Sequence, residues 1–184
     1  MAKGPIFSAR GRAFDQNVAA ASMLTGAIDR AQLEKVYPGA DYILPFIPYM
    51  REHHLSVFST ALVSQLGKPL DVTFPGSTDD CTGVLESVAP VEGADSGALR
   101  ISGWAYERKG RREPLEVVAT RDGVITGLAA VGERRPGIRK TNPWLKSSYI
   151  GFAGYAINAN SQAPLKFYAV LDSQPPAACY FATR

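Results

Sequence analysis

Three observations predict a mainly β fold, an antiparallel β-sandwich of jelly-roll character with about seven strands, preceded by a small helical segment. From Cys81 onward apolar residues recur with a period near two, and turn-forming residues separate the apolar runs. No helical pattern intervenes there, whereas the first third of the chain repeats at steps of three and four. The 184 residues give room for one ordinary domain and a small appendage. The expected division is a helical segment over 1–66, a linker over 67–80 and the β domain over 81–184.

Phe14, Val18, Ala21, Leu24 and Ile28 fall at helical spacing, with Asp15 in place as an N-cap and Gly26 weakening the end. Asp29 opens a second short helix with Gln32 completing a capping box, and Pro38 ends it. In "YILPFIPYMREHHLSVF", Pro45 and Pro48 permit a helix only near its first turn, and Phe46, Ile47, Met50 and Leu55 supply its apolar side. "GKPLDVTFPGSTDD" is rich in Gly, Pro, Ser and Asp and reads as the hinge.

Strands are expected over 83–91, 98–107, 115–121, 124–131, 149–157, 165–171 and 178–182. Asp122-Gly123 joins two of them as a type I′ hairpin, which would pair Arg121 with Val124, Ala119 with Thr126, Val117 with Leu128 and Leu115 with Ala130. Leu115, Val117 and Leu128 then share the core face. In "RISGWAYER", strict alternation sets Leu99, Ile101 and Ala105 opposite Arg100, Ser102, Trp104 and Tyr106. A bulge at Gly103, or an outer face covered by another element, makes Trp104 and Tyr106 core aromatics and the packing centre of the domain.

The net charge is +3, and Lys and Arg are concentrated in "ERKGRRE" and "ERRPGIRK", where glutamates beside the arginines weaken the local field. This reads as solvated loop charge, and nucleic acid is not expected as a partner. No run approaches the roughly 20 apolar residues of a membrane span, and "MAKGPIFSARGR" has no hydrophobic stretch after its charge to make a secretory signal. The only cysteines, Cys81 and Cys179, bracket nearly all the strands. First and last strands of an antiparallel sandwich are often neighbours, so a disulfide between them is expected, two unpaired buried thiols being the alternative.

"LEKVYPGADYILPFIPYMREHHLSVF" and "LRISGWAYERKGRREPLEVVATRDGVITGLAAVGERRPGI" resemble segments of the C-terminal extracytoplasmic regions of certain bacterial polytopic cell-envelope membrane proteins, glycosyltransferase-like or uncharacterised. The resemblance covers most of 31–171 and carries no catalytic set. It implies a periplasmic location at the extracytoplasmic face of the inner membrane, a parent or partner membrane protein, and an export route compatible with a disulfide.

Catalytic chemistry finds little support. His53 and His54 are adjacent on a helical stretch and point about 100° apart, so no metal site is expected. GxSxG, Walker and Rossmann patterns are absent, no cofactor is implied, and the carboxylates Asp79, Asp80, Glu86, Glu92 and Asp95 each have a turn or strand-face explanation. "AAASMLTGAIDRAQLEKVY" has the outline of a helix-turn-helix with too little positive charge for DNA.

Binding remains. Sugars lay C–H faces on aromatic rings and offer hydroxyls to planar polar groups. The strand-free stretch "GERRPGIRKTNPWLKSS" offers Trp144 with Asn142 and Arg139, Arg134 and Arg135 at its start, and Tyr149 at its end. Trp144 serves either a ligand or as an anchor of the loop. The sequence thus predicts a non-catalytic, carbohydrate-binding-like module of a glycan-handling envelope protein, with a structural or protein-interaction module that binds no sugar as the alternative.

Overall fold

The computed structural model describes residues 9–93, 97–157 and 163–184; Asp95 and the polar turn expected at 158–162 lie outside them. The chain is mainly β with a few helices, as its periodicity implies. Helix α1 spans Ala9–Thr25 and begins well before Asp15, which is therefore interior and not its cap. It stops at Gly26, whose φ of 74° closes the last turn.

Asp29 caps α2, Arg30–Val36, by accepting the Gln32 backbone N–H at 3.1 Å. The second half of the expected capping box does not form. The Asp29 N–H donates to Ser22 Oγ at 2.7 Å, and the Gln32 amide reaches the Asp15 carbonyl at 3.1 Å, tying α2 to α1. A 3₁₀ turn, Leu44–Phe46, leads into α3, Ile47–Glu52, and each carries its proline in the first turn.

Eight strands follow: β1 Gly76–Thr78, β2 Cys81–Pro90, β3 Ala98–Glu107, β4 Glu116–Arg121, β5 Val124–Glu133, β6 Gly151–Ile157, β7 Lys166–Leu171 and β8 Ala177–Thr183. They form one mixed sheet, ordered β1-β8-β7-β4-β5-β6-β3-β2, in which, among the described residues, only β1 and β8 run parallel. The expected two-sheet sandwich of seven strands gives way to this single curled sheet. The extra strand, β1, is three residues long and falls within 67–80, too short to show any period. That stretch also carries α4, Leu70–Thr73, and lies along the β4–β5 hairpin through Leu70 N–H to Gly123 O and Gly67 N–H to Ile125 O, each at 2.9 Å.

Curling gives the sheet two buried faces. On the concave face Ile101, Val117, Ala129, Phe152, Phe167 and Cys179 pack together; on the convex face Val118, Ile125, Leu128 and Tyr155 meet α1 and the segments after it. Full burial of each large apolar side chain contributes about 1.5–3 kcal/mol. The curl brings β2 back beside β8, where Cys81 and Cys179 form the expected disulfide with Cα atoms 6.0 Å apart.

The hairpin turn is as read, with φ of 51° at Asp122 and 78° at Gly123. Its register holds only beside the turn, where Arg121 pairs with Val124. A bulge shifts the ladder between Ala119 and Thr120, pairing Ala119 with Gly127, Val118 with Leu128 and Val117 with Ala129. One extra residue on β5 reverses the faces, so Val117 enters the concave core, Leu128 faces α1 and Leu115 is exposed.

Candidate binding surface

The stretch after β5 is folded and tied down at several points. Pro136 opens helix α5, Pro136–Thr141, and Asn142 closes it: its backbone N–H and its Nδ2 both donate to the Ile138 carbonyl, at 2.9 and 3.1 Å. Leu145 N–H returns to Asn142 O at 3.0 Å, and Arg135 N–H meets Ser148 O at 2.6 Å, pinching the base of the loop. Leu145 and Ile150 are buried against Tyr106.

Strand β3 presents Trp104 and Tyr106 to this loop. Gly103 itself does not bulge, because β3 pairs with β6 without interruption from Ala98 to Trp104; the one-residue shift opposite it lies in β2, between Leu85 and Ser87. Alternation holds, Ile101 and Ala105 face the concave core, and the loop covers the outer side. Gly103 is required where it stands: a Cβ there would lie 2.1 Å from Val84 O and 2.8 Å from Phe152 Cζ. The Trp104 and Tyr106 rings are parallel within 8° with centroids 5.8 Å apart, and Trp144 meets Tyr106 edge-on at 5.3 Å. Trp144 is thus seated on the sheet, yet 41% of its surface is exposed. Anchor and exposed ring coincide in one side chain.

The other expected ligand-binding residues divide. Arg135 is held between Glu86 and Glu133 at 2.9 and 2.8 Å. The Asn142 amide is occupied in closing α5, and Tyr149 is half-buried at the base of the loop. Arg134 and Arg139 are exposed and make no ion pair among the described residues. Lys140 and Lys146 join them, and so does Arg111, whose carbonyl accepts the Lys146 N–H at 2.9 Å. Reading the two basic stretches separately missed this meeting; no local signal marks it.

Two further clusters escaped the sequence reading. Arg100 on β3 and Tyr155 on β6 are direct cross-strand partners, and both reach Asp29. The Tyr155 hydroxyl donates to Asp29 Oδ2 at 2.7 Å, and Arg100 Nη1 lies 3.4 Å from the same oxygen. Burial, then the hydrogen bond to Asp29, pushes the Tyr155 hydroxyl well above its ordinary range. Every member has a partner, so this is a polar clasp between helices and sheet.

The second cluster is apolar. Ile47 is buried, but Phe46 and Leu55, expected beside it, are exposed together with Tyr49 and with Tyr42 at 84%. They border a shallow groove of about 640 Å³. The signal was an apolar run too dense for one helical stripe. His53 lies against Tyr49 with ring centroids 4.2 Å apart. Of the carboxylates considered, Glu86 pairs with Arg135, and Asp80 accepts the Lys109 backbone N–H at 3.0 Å.

Among the described residues no helix is long and apolar enough to cross a membrane. Comparison with protein-family models, with curated proteins and with solved structures found no match for this chain.

Proposed function

We propose that this chain is a non-catalytic, extracytoplasmic binding module of a glycan-handling cell-envelope membrane protein, with its carbohydrate-binding surface on the α5 loop. The observation that carries this reading is Trp144, a half-exposed indole braced by Tyr106. A ring fixed from behind loses little side-chain entropy when a sugar stacks on it, which favours binding. The disulfide fits an oxidising compartment. The test is a fluorescence titration with envelope-type oligosaccharides. The emission should shift on binding, and Trp144→Ala should abolish the response while leaving the melting temperature within a few degrees. A blank titration across a glycan array overturns the reading.

The exposed group Tyr42, Phe46, Tyr49 and Leu55 favours a second reading, a module that docks on a protein partner without binding sugar. Sedimentation velocity would then show association, with itself or with the parent's membrane region, that Phe46→Ser/Tyr49→Ser removes. Strictly monomeric behaviour with no capture of that region counts against it.

A further inference from the structure

We infer that the sugar chain recognised by the α5 loop is acidic, carrying carboxylate groups along its length; this rests on the sugar-binding reading above. The two basic stretches, 107–113 and 133–146, stand apart in sequence and meet in the fold through Lys146 N–H to Arg111 O at 2.9 Å and through Trp144 against Tyr106. Together they hold nine Lys and Arg against three Glu, a net +6 in a chain whose total is +3. Four acidic residues from outside them, Asp79, Asp80, Glu86 and Asp172, touch these stretches and reduce the local surplus to +2.

These acids are engaged by particular residues and leave other cations unpaired among the described residues. Glu107 is bound to Arg112 at 2.8 Å, and the same guanidinium reaches Asp172 at 3.3 Å. Glu133 and Glu86 both hold Arg135. Asp80 receives the Lys109 backbone N–H, the Asp79 carbonyl accepts the Arg108 guanidinium, and Glu113 is half-buried. Arg111, Arg134, Arg139, Lys140 and Lys146 are left exposed with no ion pair among the described residues.

The helix dipole explains only part of this set. Arg139 and Lys140 sit in the last turn of α5, where a cation is favoured, but Arg111, Arg134 and Lys146 lie outside the helix. A cluster of cations alone suits any polyanion. Trp144, on the same loop and two residues before Lys146, adds a flat apolar face that a pyranose ring covers well, and the disulfide points to an oxidising compartment in which acidic glycans, not nucleic acids, are the expected polyanions.

The experiment is isothermal titration calorimetry of the whole chain with oligogalacturonate, a neutral oligosaccharide of equal length, and inorganic polyphosphate, at low and at moderate salt. Oligogalacturonate should bind at least about tenfold more tightly than the neutral chain, as expected for one or two charge-assisted hydrogen bonds. Its affinity should fall with salt and drop about tenfold in Arg139→Gln/Lys140→Gln, whose melting curve should match the wild type because both residues are exposed. Equal affinity for the neutral chain overturns the acidic inference and leaves the sugar-binding reading intact. Polyphosphate bound as tightly as oligogalacturonate, by Trp144→Ala as well as wild type, makes the surface one of charge alone and overturns it too. No binding of any probe removes both readings.

Discussion

Tyr155 shows what a single hydroxyl contributes when it joins two layers. Its donor to Asp29 Oδ2 replaces water on a carboxylate that also caps α2 and faces Arg100. Tyr155→Phe leaves that oxygen with only the longer Arg100 contact, and urea denaturation at neutral pH should register a loss of about 1–3 kcal/mol. The linkage has a definite sign. Because burial and the Asp29 contact raise the folded-state pKa, Tyr155 contributes stability that is fully present below the unfolded value of about 10 and is lost as pH rises beyond it. Wild-type stability should therefore fall through the alkaline range more steeply than that of Tyr155→Phe, and parallel curves would refute the assignment. Glu116 has the same sign in the acid range: burial raises its pKa against the opposing hydrogen bond from Gln65, so its contribution is lost as pH rises above the ordinary carboxylate value.

Among the elements, the β4–β5 hairpin and β6 separate two demands placed on glycine. Gly123 needs a positive φ of 78° with nothing within 4 Å of where an added methyl would sit, so Gly123→Ala should cost only the backbone preference, about 1–2 kcal/mol. At Gly154 the same methyl would lie 2.1 Å from Leu128 O and 2.3 Å from Ala129 Cα, both backbone atoms, so β5 and β6 must separate. Thermal melts should show a modest loss for Gly123→Ala and a loss of at least about 3 kcal/mol, or no folded protein, for Gly154→Ala. The contrast also explains what was legible in the sequence. Asp122-Gly123 and all seven longer strands could be read because turn chemistry and period are local. The Thr126 bulge could not, because a one-residue slip leaves the apolar pattern of β4 and β5 almost unchanged while exchanging their faces. Nor could the single sheet: β4 and β6 are buried on both sides, which erases the alternation that would have told one layer from two. The candidate site was legible in its aromatic, Trp144, but not in its charge, since Arg111 and Lys146 are neighbours only through tertiary contact.

At the scale of the whole molecule, the disulfide holds together the two strands that the curl makes neighbours. No backbone hydrogen bond pairs β2 with β8 among the described residues; the seam is joined by Cys81–Cys179, by Arg184 Nη1 donating to Val88 O at 2.7 Å, and by Phe181, whose ring lies 2.6 Å from where a Gly83 Cβ would be. Closing 98 residues of chain removes unfolded-state entropy worth about 4–5 kcal/mol. That is a large share of the stability expected for a domain of this size. Reduction, or Cys81→Ala/Cys179→Ala, should lower the melting temperature by about 10 °C or more. The loss should also be spatially ordered. Amide exchange should accelerate first in β2 and in residues 180–183 of β8, the part beyond its pairing with β1, whose facing edges lose their covalent tie, and least in β5 and β6, which keep strand partners on both sides and α1 on the convex face. The α5 loop is anchored by Leu145 and Ile150 packed on Tyr106, and its Arg135–Glu86 link to β2 does not involve the disulfide, so ligand binding by the reduced protein should survive at temperatures below its lowered melting point. Uniform acceleration across all eight strands would show instead that the sheet opens as a single unit and that the disulfide stabilises the unfolded-to-folded balance without guarding any particular edge.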